Sequence, residues 1–307
     1  MAYDVIIIGA GPAGLTAGLY AARGGMKTAV FEKGATGGQM SSSWEIENYP
    51  GVPADSSGPD IANRMREQAA SFGVEFVQDT VYNFAKDGDT ITVETDEHTY
   101  TCGALILALG ADPRLLGAPG EKELRGLGVS YCATCDANFF RDMDVAVVGG
   151  GDTALEEAAY LTKFAKKVTL IHRRDEFRGA KILQERIKKN PKIEILYDST
   201  VDSIQSGPDG LVDKIEVRNL ISGKVEDLPV QGIFIFVGHI PNTRFLEGKV
   251  RLTGSGYIPT SDRMETNVPG VYAAGDVREK ELRQIVTATA DGAIAAVNAV
   301  KYVEEFE

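Results

Sequence analysis

The chain has 307 residues, which suits about two domains, and 43% of them are hydrophobic, which is enough for a sizeable core. Its formal net charge of −12 argues against a general nucleic-acid binder, because phosphate contacts need a basic face. Three cysteines argue against a disulfide-stapled secreted protein, and with no signal-peptide pattern and no apolar run of ~20 residues we expect a soluble, cytoplasmic protein without a membrane span.

The first predicted element is an apolar strand, residues 5–8, that leads into a glycine loop and the beginning of a helix. In such a loop Gly9 permits the tight turn, Gly11 lets a pyrophosphate approach the backbone, and Gly14 lets helix and strand pack closely. The free N–H groups and the positive dipole end of the helix favour phosphate. For a single motif of this kind, a tight turn with no ligand remains the alternative.

The residues after the second predicted strand suit a nucleotide without a 2′-phosphate. Glu32 ends that strand and can accept hydrogen bonds from the 2′- and 3′-hydroxyls of a ribose, as in FAD or NAD. The segment Gly37-Gly38-Gln39 offers backbone N–H groups. Two alternating runs, Thr90–Glu94 and His98–Thr101, then predict a small β-meander within the first domain.

Two cysteines three positions apart, Cys132 and Cys135, are followed at once by Asp136. The spacing suits a disulfide that opens and closes at a helix start, where the dipole lowers a thiol pKa and supplies thiolate for exchange. Asp136 is a candidate proton donor and acceptor for the departing thiolate, or alternatively a charge that interacts with the helix dipole. A structural zinc site needs four ligands, and only Cys102 and three histidines remain, so we predict no metal site and assign Cys102 no role.

Residues 144–154 repeat the strand, glycine loop and helix start of residues 4–14. With a constant offset of 140 positions (149 − 9 = 140), the first loop's three positions correspond to Gly149, Gly151 and Ala154. The end of the following strand keeps the same offset. Two such units with matched lengths imply two doubly wound nucleotide-binding domains.

Basic residues stand in the second unit where the first has its acid. His172, Arg173 and Arg174 follow the strand, and Arg178 comes four residues after Arg174. Guanidinium groups suit a 2′-phosphate through bidentate, charge-assisted bonds, so we interpret this as an NADPH site. A solvated basic helix face is the alternative, and we assign the more distal lysines and arginines to such a face.

Two buried strands each run through glycine into a segment that contains proline, at residues 104–113 and 232–241. We interpret them as the two places where the chain crosses between a first domain and an inserted second one. The predicted fold class is therefore α/β with two Rossmann-like domains: a discontinuous first domain of residues 1–114 and 245–307, and an inserted domain of residues 115–244.

Near the C-terminus a short apolar strand ends in Gly275-Asp276. The Asp276 carboxylate is placed to hold the hydroxyls of a ribityl chain, and a cap of a turn is the alternative. Arg283, Gln284 and Ile285 then precede a helix rich in alanine.

Together these motifs closely resemble the bacterial-type, low-molecular-weight thioredoxin reductases over nearly the whole chain. One departure is visible, because the family often has glycine after the motif aspartate, where Ala137 stands here. The resemblance implies FAD in the first domain, NADPH in the inserted domain, a homodimer, and electron flow through the cysteine pair to thioredoxin. It also implies that Cys135 meets the flavin and that Cys132 attacks the partner's disulfide.

The candidate site residues fall into three groups. The catalytic candidates are Cys132, Cys135 and Asp136. The FAD candidates are Gly9, Gly11, Pro12, Ala13, Gly14, Glu32, Lys33, Gly37, Gly38, Gln39, Asn48, Gly110, Gly275, Asp276, Arg283, Gln284 and Ile285. The NADPH candidates are Gly149, Gly151, Asp152, Thr153, His172, Arg173, Arg174 and Arg178.

Three other functions stay open at this point. The same machinery can serve another disulfide carrier, such as a glutaredoxin-like or peroxiredoxin-linked protein. A flavoprotein reductase of a metalloprotein such as ferredoxin would not need the cysteines, and a redox sensor would not turn over repeatedly.

Because the cysteine pair and the NADPH loop share one domain, we expect that domain to rotate about the two crossings so that each meets the flavin in turn.

Overall fold

The structure is a computed structural model that describes residues 2–43, 45–53 and 56–305. The strands in those ranges are β1 (Ala2–Ile8), β2 (Thr28–Glu32), β3 (Glu75–Gln78), β4 (Val81–Asp87), β5 (Thr90–Thr95), β6 (Thr99–Leu107), β7 (Ala111–Pro113), β8 (Val129–Ser130), β9 (Asp144–Gly149), β10 (Lys167–Ile171), β11 (Ile193–Leu196), β12 (Ser199–Ser206), β13 (Val212–Asn219), β14 (Val225–Pro229), β15 (Gly232–Phe236), β16 (His239–Pro241) and β17 (Val271–Ala273). The α-helices are α1 (Pro12–Arg23), α2 (Gly58–Ser71), α3 (Ala133–Asp136), α4 (Asp152–Leu161), α5 (Lys181–Lys189) and α6 (Ile285–Glu304). Four short 3-10 helices cover Gly38–Ser42, Ala137–Phe140, Arg244–Leu246 and Gly275–Val277.

The chain divides into two compact units. Unit 1 comprises Met1–Asp112 and Ile240–Glu307, and unit 2 comprises Pro113–His239. The sequence prediction has its two crossings at 114/115 and 244/245, about two and five residues after the boundaries between these units.

Unit 1 is built on a seven-stranded sheet in the order β3-β2-β1-β6-β5-β4, with β17 also paired to β6. The strands β3, β2, β1, β6 and β17 are parallel, and β4 and β5 add antiparallel pairs. β6 takes part in both kinds of pairing: Thr99–Cys102 pair antiparallel with β5, and Leu105–Leu107 pair parallel with β17. The sequence predicts two separate strands at residues 98–101 and 104–109, whereas the structure has a single strand, β6, from Thr99 to Leu107.

Unit 2 repeats the strand order of unit 1. Its five-stranded parallel sheet runs β11-β10-β9-β15-β8, and a separate antiparallel sheet is formed by β12, β13 and β14. The order β11-β10-β9-β15 corresponds to β3-β2-β1-β6, and the glycine loop follows the first strand of the repeat in each unit. This doubly wound arrangement confirms the predicted α/β fold class.

Apolar residues cover both faces of each parallel sheet, as burial on two sides requires. In unit 1, Ile7 and Ile106 belong to one core cluster and Ile6 and Leu105 to another, and all four are fully buried. Alternate residues of one strand thus pack into opposite layers, because side chains point to opposite faces with a period of two. In the part of the chain that the structure describes, no helix is both long enough and apolar enough to cross a membrane.

Candidate functional site

The first glycine loop connects β1 to α1, and each of its glycines meets a different constraint. Gly9 has φ +105°, which disfavours any side chain, and a Cβ there would overlap the Ala108 carbonyl. A Cβ on Gly14 would overlap the Gly9 carbonyl, so helix and strand pack too closely for any other residue. A Cβ on Gly11 would meet nothing within 4 Å, which leaves open space above the loop. These are the three functions that a dinucleotide loop requires.

The N-terminus of α1 is free to bind an anion. Gly11 is the N-cap residue, it supplies no capping side chain, and Pro12 occupies the first turn. Segments from the C-terminal part of the chain approach this turn closely, because a Cβ on Gly275 would lie 2.9 Å from the Ala13 Cβ and one on Gly292 would overlap the Ala13 carbonyl. Small residues therefore bring the β17 end and α6 against the glycine loop.

Glu32 lies at the end of β2, next to the glycine loop. Its Oε2 accepts a hydrogen bond from the Ala10 N–H at 2.9 Å, and its Oε1 accepts one from the Gly34 N–H at 3.1 Å. Each carboxylate oxygen has a second lone pair, so the group can still accept from ribose hydroxyls. The neighbouring Lys33 is exposed.

The segment Gly37-Gly38-Gln39 packs against the same loop. Gly37 has φ +114° and donates its N–H to the Ala10 carbonyl at 2.8 Å, and a Cβ on Gly38 would lie 3.4 Å from the Gly11 Cα. The Gln39 side chain donates a hydrogen bond to Asp112, close to the end of β6. Gly110, which follows β6 with φ +67°, has open space where a Cβ would be.

Residues far apart in the sequence meet at the beginning of α6. The Asn48 amide donates to Gln284 Oε1 at 3.0 Å, across 236 positions of the chain. The Arg283 guanidinium lies over the Tyr257 ring at 4.3 Å and donates from Nε to the Asp276 carbonyl at 3.4 Å. Ile285 packs on a small cluster that includes Met40.

Among the described residues of this region, Asp276 has a carboxylate oxygen that is buried without a donor. Its Oδ1 atom is shut off from solvent and has no hydrogen-bond partner. Burial raises the pKa of this carboxyl, against the opposing effect of the positive Lys280 and Arg283. A buried acceptor without a donor costs roughly 1–3 kcal/mol, so its presence favours a bound hydroxyl.

The charge of Asp291, nearly two turns into α6, is compensated by three donors. It accepts from the Gly275 N–H at 3.0 Å, from Arg278 Nη1 at 2.8 Å and from Lys280 Nζ at 2.7 Å. Arg278 also donates from Nε to Thr260 Oγ1 at 2.7 Å. This network fixes the Gly275–Val277 turn that carries Asp276, and nothing in the sequence pattern pointed to it.

The second glycine loop, between β9 and α4, has the same construction in unit 2. Gly149 has φ +154°, and a Cβ there would lie 2.6 Å from both the Ala154 Cβ and the Phe236 carbonyl oxygen. A Cβ on Gly151 would again meet nothing within 4 Å, and Gly151 is an N-cap without a capping side chain. Asp152 and Thr153 in the first turn of α4 are exposed.

The basic segment after β10 is tied to this loop by its backbone. Arg178 and Gly179 donate their N–H groups to the Gly150 carbonyl at 2.8 and 3.1 Å, and the Ala180 N–H donates to Asp152 Oδ1 at 2.7 Å. The side chains of Arg173, Arg174 and Arg178 are exposed. The structure thus brings exposed guanidinium groups beside the loop.

His172 is placed differently from the arginines. It is 6% exposed, and its ring occupies the space that a Cβ on Gly150 would need. Its Nε2 bonds the Glu176 carbonyl at 3.0 Å, and burial lowers its pKa. The buried imidazole packs against Gly150 and so supports the glycine loop, whereas the exposed arginines offer positive charge at the surface.

The cysteines form a disulfide at the start of α3, with Cα atoms 5.3 Å apart. Cys132 is the N-cap residue, and its Sγ accepts a hydrogen bond from the Cys135 N–H at 3.1 Å. A thiolate at this position receives the same N–H, which favours the charged form. Both cysteines are half-buried.

Asp136 lies at the end of α3, where burial raises its pKa. Its Oδ2 accepts a hydrogen bond from the Ser130 hydroxyl at 2.6 Å. A buried carboxyl with a raised pKa stays protonated at higher pH than an ordinary aspartate, as a proton donor near neutral pH must. Sequence reasoning missed Ser130, although its place two residues before Cys132 was a usable signal.

A second carboxyl from α4 also reaches the cysteine segment. Glu157 accepts a hydrogen bond from the Thr134 N–H, its Oε2 is buried without a partner, and burial raises its pKa.

The third cysteine, Cys102, is buried on β6, and burial raises its pKa to about 12. A thiol that stays protonated is a poor nucleophile, so Cys102 acts as a core residue.

Comparison with known proteins gives a consistent result. The family model for pyridine nucleotide-disulphide oxidoreductase matches residues 3–292. The chain is 52% identical over 308 residues to a thioredoxin reductase of Peptoclostridium acidaminophilum, covering 98% of this chain and 97% of that one. It is 45% identical over 305 residues to the thioredoxin reductase of Bacillus subtilis (strain 168), covering 99% and 96%. The crystal structure of thioredoxin reductase from Streptococcus pyogenes MGAS5005 matches with a TM-score of 0.95 and 48% identity, covering 99% of each chain.

Proposed function

The chain belongs to the pyridine nucleotide-disulphide oxidoreductase family and within it to the thioredoxin reductases, and from this premise we propose that it reduces thioredoxin with NADPH by way of FAD and the Cys132–Cys135 disulfide. The disulfide at the start of α3, with a buried carboxyl one residue after it, is the observation that carries the proposal. A disulfide that exchanges needs a thiolate-stabilising position and a proton carrier, and this segment offers both.

We propose unit 1 as the FAD-binding part, because its residues fit an adenosine, a pyrophosphate and a ribityl chain. The Gly11 opening and the free N-terminus of α1 suit the pyrophosphate, Glu32 suits the ribose, and the unpartnered Asp276 Oδ1 suits a ribityl hydroxyl. Arg283, Gln284 and Asn48 line the same region. Bound FAD supplies a two-electron carrier between the nicotinamide and the disulfide.

We propose unit 2 as the NADPH-binding part. The Gly151 opening at α4 suits the pyrophosphate, and the exposed Arg173, Arg174 and Arg178 suit the 2′-phosphate. His172 positions Gly150, and through it the loop, by packing beneath it. Bound NADPH supplies the hydride that begins the reaction.

The cysteine chemistry balances as two successive exchanges. The disulfide takes up two electrons and two protons and opens to two thiols. The Cys132 thiolate attacks one sulfur of the thioredoxin disulfide, which forms a mixed disulfide and releases one thioredoxin thiolate. Cys135 then attacks Cys132 Sγ, which restores the intramolecular disulfide and releases the second thiolate. Asp136 carries protons from the cysteine thiols to the departing thiolates.

A rotation of one unit relative to the other between half-reactions also belongs to the proposal. The cysteine pair and the NADPH loop both lie in unit 2, whereas the proposed FAD residues lie in unit 1. Two groups of one unit that must reach one flavin in turn require two poses. An engineered cross-link between the units tests this, and full turnover of the rigidly locked enzyme would contradict it.

A homodimer and a cytoplasmic location complete the proposal. The resemblance to the thioredoxin reductases supports the homodimer. A cytoplasmic location is supported by chemistry, since thioredoxin keeps thiols reduced in that compartment. Sedimentation equilibrium of the holoenzyme measures the assembly state, and a purely monomeric species at micromolar concentration would contradict the dimer.

Turnover with a panel of electron acceptors tests the substrate. NADPH oxidation is followed with thioredoxin, a glutaredoxin and ferredoxin as separate acceptors, each at several concentrations. The proposal predicts the highest kcat/KM with thioredoxin. A higher value with the glutaredoxin would transfer the same chemistry to another carrier, and rapid turnover with ferredoxin would contradict the role of the disulfide.

A further inference from the structure

Ser130 is a buried polar residue next to the redox disulfide. It ends β8 and is 4% exposed. It lies on the edge strand of the unit 2 sheet, which pairs with β15 through Val129 and Ser130. The strand therefore holds Ser130 in a fixed position, two residues before Cys132.

The Ser130 hydroxyl joins the acid to the disulfide segment. The Cys132 N–H donates to Ser130 Oγ at 3.1 Å, and Ser130 Oγ donates to Asp136 Oδ2 at 2.6 Å. An N–H group can only donate, so the oxygen of Ser130 acts as acceptor toward Cys132 and its single hydrogen is free for Asp136. The Cys132 carbonyl is the other acceptor in reach, at 3.3 Å, and it lies farther away.

We propose that Ser130 is the positioning residue for Asp136: its hydroxyl holds Oδ2 and so makes Oδ1 the oxygen that exchanges protons with the cysteine thiols and the partner's departing thiolate. This inference rests on the proposed function. Ser130 itself neither gives nor takes a proton in the step. Its part is to fix one oxygen of the carboxyl and to join it to the Cys132 backbone.

The hydrogen bond from Ser130 affects both the pKa and the orientation of the Asp136 carboxyl. Burial raises the Asp136 pKa, and the hydrogen bond from Ser130 lowers it, so the hydroxyl partly offsets the effect of burial. The neighbouring α4 contributes Glu157, whose carboxyl accepts from the Thr134 N–H. Arg141, five residues after Asp136, donates to Asn138 Oδ1 at 2.7 Å and lies over the Phe164 ring. Among the described contacts, Ser130 is therefore the donor that sets the carboxylate's orientation.

The proton transfer that this arrangement serves is balanced within the exchange. When the Cys132 thiolate attacks the partner's disulfide, one S–S bond forms, one breaks, and the partner's thiolate leaves with the electron pair. Protonated Asp136 gives its Oδ1 proton to that thiolate and becomes a carboxylate. It regains a proton from Cys135, whose thiolate attacks Cys132 Sγ, forms the Cys132–Cys135 bond and breaks the mixed disulfide. The partner's second thiolate leaves with the electron pair of that bond and takes the proton that Asp136 has just received.

The test compares holoenzymes with Ser130→Ala, Ser130→Thr and Asp136→Asn. Removing a hydrogen bond to a charged group costs roughly 10-fold or more in rate, so Ser130→Ala should lower kcat with thioredoxin by about that factor and leave its KM unchanged. The same variant should move the alkaline limb of the kcat profile to higher pH by about one unit, because the acid loses a donor to its charged form. Ser130→Thr keeps the hydroxyl and should restore most of the rate.

A second readout separates this inference from the proposed function. The pH dependence of iodoacetamide alkylation of the reduced enzyme reports thiolate formation without any partner or turnover, and it should shift in Ser130→Ala and in Asp136→Asn. Ser199→Ala is the matched control, because Ser199 is another buried serine of unit 2 and its hydroxyl donates to the Tyr197 carbonyl at 2.7 Å, away from the cysteine segment.

The outcomes are distinct. A Ser130→Ala enzyme with the pH profile and alkylation behaviour of Ser199→Ala overturns the positioning role. If Asp136→Asn keeps full activity, the assignment of Asp136 fails, and the role of Ser130 fails with it. If Ser130→Ala alters the alkylation profile while no form of the enzyme reduces thioredoxin, the positioning role stands and the proposed substrate falls.

Discussion

Three buried or half-buried carboxyl groups, those of Asp136, Asp276 and Asp291, differ in how their charge is compensated. Asp291 has two cations and a backbone N–H, Asp136 has one hydroxyl, and Asp276 Oδ1 has no partner. The fully compensated group is structural, the moderated one suits proton transfer, and the unpartnered one suits a ligand. The type of residue alone could not distinguish these roles, because the partners of Asp291 and Asp136 come from outside their motifs.

The unpartnered oxygen leads to a prediction about Asp276. Asp276→Asn should weaken FAD binding about 10- to 100-fold, since hydrogen bonds to a charged acceptor contribute roughly 1.5–3 kcal/mol. The melting temperature of the flavin-free protein should not fall, because the variant removes an uncompensated buried charge. Fluorescence titration of the flavin-free protein measures the affinity, with the exposed Asp262→Asn as control. Unchanged FAD affinity in Asp276→Asn would show that the carboxylate does not contact the flavin.

The cysteines allow a cleaner separation of steps. In Cys135→Ser, NADPH should still reduce the flavin, but thioredoxin reduction should fall by at least 1,000-fold, an estimate based on removing a nucleophile from a covalent step. Cys102→Ala is the control, because burial holds that thiol protonated and away from the exchange. Substantial thioredoxin reduction by Cys135→Ser would mean that the electrons bypass the disulfide.

At the scale of elements, the strand, glycine loop and helix of each unit were predictable from the sequence. The tight turn and the close packing in each loop leave no room for a Cβ, so glycine or another small residue is required at fixed positions. The exposed arginines after β10 were predictable for the same reason, as a strand end has a fixed relation to its loop. The pairing of Asn48 with Gln284 and the Asp291 network were not, since such contacts depend on tertiary packing. His172 shows the limit clearly: the sequence grouped it with the arginines, and the fold buries it under Gly150.

The two kinds of glycine in the first loop should respond oppositely to alanine. Gly11→Ala has room for its methyl group, so the flavin-free protein should keep its stability while FAD affinity falls, because the methyl group occupies the pyrophosphate's approach. Gly14→Ala must displace the Gly9 carbonyl, and it should destabilise the flavin-free protein by about 1–3 kcal/mol or more. Denaturant unfolding and FAD titration measure the two effects. Equal loss of stability in both variants would contradict the distinction.

The basic segment of unit 2 gives a prediction about the coenzyme. Arg173→Ala with Arg174→Ala should raise the KM for NADPH about 10- to 100-fold and leave that for NADH nearly unchanged, because only NADPH has the 2′-phosphate that we propose as the ligand of these guanidinium groups. Lys188→Ala with Lys189→Ala removes two exposed charges of the same unit and serves as control. An equal rise for NADH would assign the arginines to a general effect on the unit.

At the scale of the whole molecule, the proposed NADPH site and the cysteine disulfide lie in one compact unit, and the proposed flavin site lies in the other. The internal repeat predicts two nucleotide-binding units, because the 140-residue offset between the loops indicates two copies of one strand, loop and helix arrangement. The crossings were located only approximately, since a chain can leave a domain anywhere within a surface segment. Because the proposed electron-transfer groups lie in both units, the order of electron transfer must be tested on the intact holoenzyme.

Anaerobic titration of the holoenzyme with NADPH, followed by the flavin absorbance, tests the central claim most directly. The account predicts that NADPH bleaches the flavin, that oxidised thioredoxin added afterwards restores the absorbance, and that Cys135→Ser shows the first change without the second. An enzyme whose flavin is not bleached by NADPH, or whose Cys135→Ser variant is reoxidised by thioredoxin as fast as the native chain, would contradict it.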